Sequence, residues 1–534
     1  MKTKRILACL LAAAMAVPML AGCGGKDDEK LEIAPVEGFN ETGYPVVEEP
    51  YTLSVMGKFF NGHTSQYEDN IAVQELEKIT NVKLDINAVD QSSFSEKFSV
   101  LLAGGELPDI FIGCNLDRTV QQQQMKLGNL IDLKPYIEKY APNIKKLPEE
   151  NEEFRNDVTL PTGEIATLPY FQMNLEGEKI APEFMMVYKP WMDKLGLEMP
   201  ETTEDFYNVL KAFKEQDPNG NGKADEIPFT PKNMDDFYAI FGMFGIMAEP
   251  SYHFTFSDGD TVEFAAIQPE FKEALAYLRK LYAEGLMDKD VFVQNQQQVL
   301  AKGSGEEEII GASLSSAGFP IVGEERGDYM VPTPVMYHPG SEDRMWISRK
   351  LCSMGNFAIS KECDHPEIAI RWVDYLYSDE GAKLAWMGVE GVSYEWMEDG
   401  TWKWIKADGQ TDTEVREKNS LTAGIQLPCK FPFEWLQIGE GSEVEVNKQR
   451  VWLTENYGKY LRVPTPDAYL DPALQKEVAA IAVDSDQYVK QYIAQVITGE
   501  VDLESSWAEY EATCKRMNID RMVEIYQEAF DKLS

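Results

Sequence analysis

Between residues 51 and 112 the apolar residues change period repeatedly, and this constrains the fold more than any other stretch. Leu53 and Val55 alternate with polar neighbours in YTLSVM. Ala72, Leu76 and Ile79 then fall at i, i+4 and i+7, one face of a helix, before Val82, Leu84 and Ile86 alternate again. Residues 92–103 read as a second helix stopped by Gly104-Gly105, and Asp109 to Ile112 as a short apolar strand after Pro108. Strand, helix, strand, helix, strand in that order implies a parallel sheet covered by helices on both faces. Ligands of such sheets sit outside the carboxyl ends of the strands. The loops to watch are therefore Lys58 to Asn61 and Cys114 to Asp117.

Helices dominate further on. Thr202 is placed to cap a helix with Phe206, Val209, Leu210 and Phe213 on its buried face, and Pro269 opens another that ends before Gly285. Asp364 and Glu367 have the spacing of a capping box around Pro366, and residues 520–533 form an amphipathic C-terminal helix. Residues 301–345 and 398–430 read as turn-rich, the first as a hinge crossing. A length of 534 residues suggests two to four domains. The 90 acidic against 50 basic side chains give a formal charge of −40, which excludes nucleic acid as a partner. A mean hydropathy of −0.35 excludes a polytopic membrane protein.

The N-terminus carries a separate message. Lys2, Lys4 and Arg5 precede an apolar run from Ile6 to Leu20, too short to span a bilayer, so residues 1–22 read as a secretory signal. Leu20-Ala21-Gly22-Cys23 resembles the lipobox of bacterial lipoproteins, which implies a diacylglyceryl group on Cys23 and a mature chain beginning there, held by two or three acyl chains. Residues 23–50 are rich in acids, glycine and proline and read as a solvated tether. Five further cysteines, Cys114, Cys352, Cys363, Cys429 and Cys514, are odd in number and widely spaced, which suits buried thiols and not a disulfide framework.

The sharpest internal motif is Asp217-Pro-Asn219-Gly-Asn221-Gly222-Lys223-Ala-Asp225-Glu226-Ile-Pro228. Oxygen-bearing side chains stand at loop positions 1, 3, 5 and 9, with glycine at 6 and the Lys223 carbonyl at 7, the EF-hand arrangement for Ca²⁺. Pro228 occupies position 12, where a bidentate Glu belongs, and Glu226 at position 10 is its substitute. The expectation is a structural calcium site within 217–228, not a sensor. Nucleophile-elbow, phosphate-loop, dinucleotide and zinc-protease motifs are all missing. Paired glycosidase carboxylates cannot be recognised from sequence among so many acids, so a hydrolase stays open. Tryptophans in loop-like settings, with Asp and Asn, suit a carbohydrate, whose rings stack on aromatics while its hydroxyls need amides and carboxylates.

Several segments together resemble the family 1, oligosaccharide-type extracellular solute-binding lipoproteins of ATP-driven importers. They are Leu102-Ala-Gly-Gly-Glu-Leu-Pro-Asp-Ile110, Leu133-Lys-Pro-Tyr136, Tyr188-Lys-Pro-Trp191, the loop at 217–228, Leu281-Tyr-Ala-Glu-Gly-Leu286 and Gly388-Val-Glu-Gly391. The resemblance implies an α/β, two-lobed, periplasmic-binding-protein-like fold of type II, with mixed sheets flanked by helices and a hinge between lobes. It places the first lobe at 51–168 and the second at 169–304, with 305–358 returning to the first and 359–534 to the second. It implies a monomer anchored at the outer face of the bacterial membrane, no catalytic residue, a carbohydrate ligand, and permease subunits as partners. In acidic-polysaccharide relatives the same loop holds calcium, which carries over to Asp217, Asn219, Asn221, Lys223, Asp225 and Glu226. For the cleft, Trp346, Trp435 and Tyr170 are expected to stack on sugar rings, and Asn61, Asn115 and Glu390 to bind hydroxyls. A peptide or lipid-linked solute, or a purely structural surface lipoprotein, are the alternatives.

Overall fold

A computed structural model describes residues 36–531 except 61–66, 68–69, 105, 161, 172–180, 251–252, 259–260, 342–343, 349–351, 423, 432, 437, 442–447, 449–451, 454 and 465–469. The signal segment, Cys23 and Asn61 therefore lie outside the described residues. In chain order the strands are β1 (Tyr51–Phe59), β2 (Val82–Asp90), β3 (Ile110–Ile112), β4 (Leu168–Phe171), β5 (Phe184–Tyr188), β6 (Ile227–Thr230), β7 (Thr255–Asp258), β8 (Thr261–Phe264), β9 (Ile310–Ser315), β10 (Met330–Pro332), β11 (Trp346–Ile347), β12 (Cys352–Ile359), β13 (Tyr394–Trp396), β14 (Trp402–Trp404) and β15 (Leu461–Arg462).

Two sheets organise the chain. The first has the order β2-β1-β3-β12-β4. Its β1, β2 and β3 run parallel, as the alternating pattern requires, while β12 is antiparallel to both β3 and β4. The second has the order β10-β5-β9-β6, with β6 parallel to β9 and β5 antiparallel to it. Both are mixed and flanked by helices. The expected helix at Thr203–Glu215 forms with a capping box between Thr202 and Asp205 and buries Phe206, Val209, Leu210 and Phe213. Pro269–Ala283 forms as expected, with Gly285 in the left-handed region just past its end. No capping box forms at 364–367. The N-cap is His365, and Glu367 is drawn inward to accept from its Nδ1 at 3.2 Å.

The strand pairing departs from the expected segment boundaries. β9 and β10, inside 305–358, belong to the second sheet, and only β12 returns to the first. The small side chains of β9 are all buried, so this strand is central despite its glycine-rich surroundings. Beyond 359, the helices Pro366–Leu376 and Asp379–Met387 stay with the first sheet, against helices Lys134–Tyr140 and Ile71–Thr80. Every residue from Glu367 to Leu376 is buried. There, Asp374 accepts from the backbone N–H groups of Asn143 and Ile144, each at 2.9 Å, and so caps helix Pro142–Glu150 from outside. Only the last part of the chain, from Leu453 through helices Pro472–Thr498, Leu503–Arg516 and Ile519–Phe530, packs with the second sheet's core.

The chain thus passes between the two bodies three times: after β4, after β11 and before Leu453. On the second body all three passages meet at Trp346. Its Nε1 donates to the Glu183 carbonyl at 2.8 Å, its ring lies 5.3 Å from that of Tyr457, and β11 pairs with β15. Among the described residues no helix is long and apolar enough to cross a membrane. Cys114, Cys352, Cys363, Cys429 and Cys514 are all buried and unbridged.

Candidate functional site

At the carboxyl edge of the first sheet, the β3 strand leads into Gly113 and Asn115, both with positive φ, +67° and +50°. Gly113 is obligatory because a Cβ there would strike Ile425. Asn115 is among the few other residue types that tolerate this conformation. Beside them β12 carries a bulge between Ser353 and Phe357. Within it Gly355 (φ +71°) passes so close to Leu116 that a Cβ would overlap its backbone. Leu116 N–H donates to the Gly355 carbonyl at 3.1 Å and Gly113 N–H to Asn356 at 2.8 Å, fixing loop to bulge.

A third segment, 420–431, of which all but 423 is described, crosses over this edge like a strap. Phe60 N–H donates to the Gly424 carbonyl at 2.7 Å above β1, and Phe431 N–H to Phe171 at 2.8 Å beside β4. Between them, Asn115 Nδ2 donates to Gln426 Oε1 and, at 3.2 Å, to Ser353 Oγ. Ser353 Oγ donates in turn to Gln426 Oε1 at 2.8 Å. Asn115, Ser353 and Gln426 are each half-buried. Tyr170 stands opposite Ser353 in the β4–β12 register, so it faces the same polar group.

Tyr170 also begins an aromatic surface. Its ring is 6.1 Å from Phe431, which lies 5.9 Å from Trp386, itself 6.0 Å from Trp404. The β13–β14 hairpin supplies Tyr394, Trp396, Trp402 and Trp404 to this cluster. Trp435 joins it half-buried, with Trp396 edge-on at 5.6 Å and Lys383 Nζ 4.4 Å from its ring centre. Its carbonyl accepts from Trp402 Nε1 at 2.6 Å. Glu390 is exposed at the base of the hairpin, where it pairs as a bridge with Tyr394. Burial, aided by the Glu390 charge, pushes the Tyr394 hydroxyl up to about 12.

Of the six expected ligand residues, Asn115, Tyr170 and Trp435 belong to this one polar and aromatic region, with Glu390 at the foot of its hairpin. Asn61 lies outside the described residues. Trp346 is a correction: it is 2% exposed, with Tyr457 and Tyr238 edge-on and its N–H satisfied, so no ring face is open to a sugar. It anchors the crossings instead. Ser353, Gln426 and Trp396 were not anticipated. No local spacing marks them, because 311 positions of sequence separate Asn115 from Gln426.

At the loop 217–228 the helix Thr203–Glu215 leads into β6 and not into a second helix. Asp217, at φ +43°, accepts from Gly220 N–H at 2.9 Å and Gly222 N–H at 3.1 Å. Asn219 and Asn221 both turn their amides onto Asp225, at 3.1 and 3.0 Å. Burial works to raise Asp225, but those amides and the Lys223 charge hold its carboxyl below the usual range. Burial first, then the charges of Asp225 and Asp217, push Glu226 above its ordinary value, and its Oε1 is buried without a partner. An orphaned carboxylate oxygen among acids is what a hard cation would satisfy. Among the described residues no three His, Cys, Asp or Glu side chains group closely enough to hold a metal by themselves. A cation here would depend on the amide and main-chain oxygens as well.

These features have counterparts in known proteins. Over 99% of its length the chain is 26% identical to the fructooligosaccharide ABC transporter substrate-binding protein FusA of Streptococcus pneumoniae, covering 98% of that protein. It is 27% identical over 77% of its length to the polygalacturonan/rhamnogalacturonan-binding protein YtcQ of Bacillus subtilis, covering 78% of it. Its fold superposes on FusA solved with kestose with a TM-score of 0.76 at 24% identity, covering 90% of this chain and 99% of the other. A solute-binding protein of Bifidobacterium longum subsp. infantis gives 0.77 at 19% identity, covering 92% and 99%. These neighbours share the two-lobed architecture. Residues 61–383 match the sequence model of the bacterial extracellular solute-binding proteins, a family of binders. With more than half of the chain matched, this protein belongs to the bacterial extracellular solute-binding protein family.

Proposed function

We propose that the chain captures an oligosaccharide outside the cell between its two lobes and delivers it, chemically unchanged, to the permease subunits of an ABC importer. The observation that carries this reading is the fusion of an amide-rich floor (Asn115, Ser353, Gln426) with an aromatic surface that starts at Tyr170 and extends to Trp396 and Trp435. Sugars need both kinds of surface at once: hydroxyl partners in the plane of the ring and flat apolar faces above it. The named ligands of FusA and YtcQ support it. A sugar that touches both lobes has higher affinity for the closed arrangement, which is what shifts the population toward the form a permease engages. The chain works as a monomer, since one copy holds both halves of the cleft.

Residues 1–22 act as an export signal, Cys23 carries the lipid, and the stretch from 23 to 37 lets the body range from the outer face of the membrane. The expected tether ends there and not at residue 50, because Val46 and Val47 are buried, Val46 N–H donates to the Thr80 carbonyl at 2.8 Å and Phe39 packs edge-on to Tyr140. Calcium belongs to the 217–228 loop, held by Asp217, Asn219, Asn221, the Lys223 carbonyl, Asp225 and Glu226. When bound it supplies positive charge that neutralises the three carboxylates; it has no part in sugar capture.

Calorimetric titration and thermal melting with kestose, maltotriose and cellotriose test the reading, alongside an assay for new reducing ends. Binding stabilises the folded chain by RT ln(1 + [L]/Kd), about 2.7 kcal/mol at 100 Kd, read as a higher Tm with no product formed. Release of reducing ends would replace a binder with a hydrolase. No shift with any sugar, but one with peptides, would replace the ligand class.

A further inference from the structure

The strap 420–431 changes what the first lobe can present. Without it the β3 loop would offer Asn115 alone. With it, Asn115 Nδ2 is committed to Gln426 Oε1 and Ser353 Oγ, and Gln426 Oε1 is committed to both. Asn356 Nδ2 donates to the same Ser353 Oγ at 3.3 Å and to its carbonyl at 2.7 Å, fixing the hydroxyl from behind. Each amide is thereby locked through one of its two ends. The other ends, Asn115 Oδ1 and Gln426 Nε2, take no partner among the described residues, and neither is sealed from solvent. The result is one acceptor and one donor left over on two amides that are fixed to each other and to Ser353. Exchanging O and N in both amides leaves the same count, with the roles reversed.

We infer that the Asn115–Gln426 amide pair is the specificity reader of the first lobe and selects a neutral sugar bearing two adjacent hydroxyls over a uronic acid. The inference rests on the carbohydrate reading above and sharpens it. A hydroxyl both donates and accepts, so two neighbouring hydroxyls satisfy an acceptor and a donor together. A carboxylate only accepts. It would satisfy Gln426 Nε2 and set a lone pair against Asn115 Oδ1, leaving a polar group unpaired when the cleft closes. The charge around both carboxyl edges points the same way. Lys430, beside β4, is paired with Asp379 at 2.9 Å. Lys232, just past β6, lies between Glu183 and Asp236. Lys58 is half-buried, 5.6 Å from the Phe94 ring centre. Each of these lysines is already engaged, and Lys383 at the aromatic end lies over the Trp435 ring; Arg349 and Lys350 lie outside the described residues.

Calorimetric titration of the full chain with kestose, maltotriose, cellotriose and trigalacturonate tests this. At least one neutral trisaccharide should bind about 100-fold more tightly than trigalacturonate, in line with a site whose buried polar groups reject a mismatched ligand. Asn115→Ala and Gln426→Ala should each weaken the neutral sugar about tenfold or more, and the double variant by less than the product of the two, because the amides act as a unit. Gln426→Glu keeps the length and the acceptor for Asn115 and Ser353 and removes only the donor, so it carries the test if Gln426→Ala does not fold. Tighter binding of trigalacturonate, or affinities of the Gln426 variants within about twofold of the parent, overturn the assignment and leave carbohydrate capture standing. A parent chain that binds none of the four overturns both.

Discussion

The acidic loop at 217–226 and the floor built by Asn115, Ser353 and Gln426 are both made of oxygen and amide groups held by glycine-dependent backbone, yet they arise in opposite ways. The loop is contiguous: ten residues place its donors, and Asp217, Asn219, Asn221 and Asp225 engage one another or the backbone between them. The floor is assembled from three distant segments, and its hydrogen bonds exist only once β3, β12 and the strap are all in place. A contiguous site is written in spacing and survives as a motif. A discontinuous one is written in topology, and its residues look ordinary until the chain has folded.

The comparison can be broken most severely at Gly355. Its left-handed φ and the backbone of Leu116 against it leave no room for a side chain. Gly355→Ala should cost about 3 kcal/mol or more, seen as a lower midpoint in urea, with sugar affinity lost as well. A variant of near-parental stability would show that the bulge does not depend on glycine. A smaller effect is expected at Asp217. If calcium binds with a dissociation constant of ~10⁻⁴–10⁻³ M, ~10 mM calcium stabilises the chain by about 1.4–2.7 kcal/mol. Chelation should remove that stabilisation in the parent, Asp217→Ala should abolish the sensitivity, and sugar affinity should stay unchanged. Loss of sugar binding on chelation would join the two regions that the structure keeps apart.

The smallest effect separates the loop's acids from burial elsewhere as a source of pH dependence. Burial pushes Asp236 up to about 7, with Glu183 adding to it and Lys232 opposing. A carboxyl raised in the folded state contributes stability that is complete below its unfolded value and is lost as pH rises through about 7. Asp236→Asn should therefore raise Tm at pH 8 and flatten the profile between pH 5 and pH 8. The net gain is about 1 kcal/mol, because the amide also gives up the Lys232 ion pair. A profile unchanged by this substitution would return the pH dependence to the loop.

What the sequence made legible follows the same division. β1, β2 and β3 and the helices between them are local periodicities, and they form where the period indicates. Thr202 caps its helix because the box needs only four residues. The fate of 305–358 was not legible: β9 and β12 both mix small, polar and apolar residues, and nothing within them states which sheet each will join. Trp346 shows the same limit from another side. A tryptophan beside a turn-rich stretch has the composition of a sugar platform, while its place at the meeting of three crossings makes it core. Gln426 stands in a segment with no helical or strand period and beyond the 61–383 that match the family. Family membership is therefore readable where ligand preference is not.

The late position of the strap has a consequence for biogenesis. A chain exported amino end first presents β1 and β3 to the outside long before residues 420–431 have emerged. Until then the β3 loop has neither its cover nor its second amide. A nascent chain paused before that point would carry most of both sheets, with Asn115, Ser353 and Tyr170, yet lack the amide that orients them, so the floor is completed in one late step.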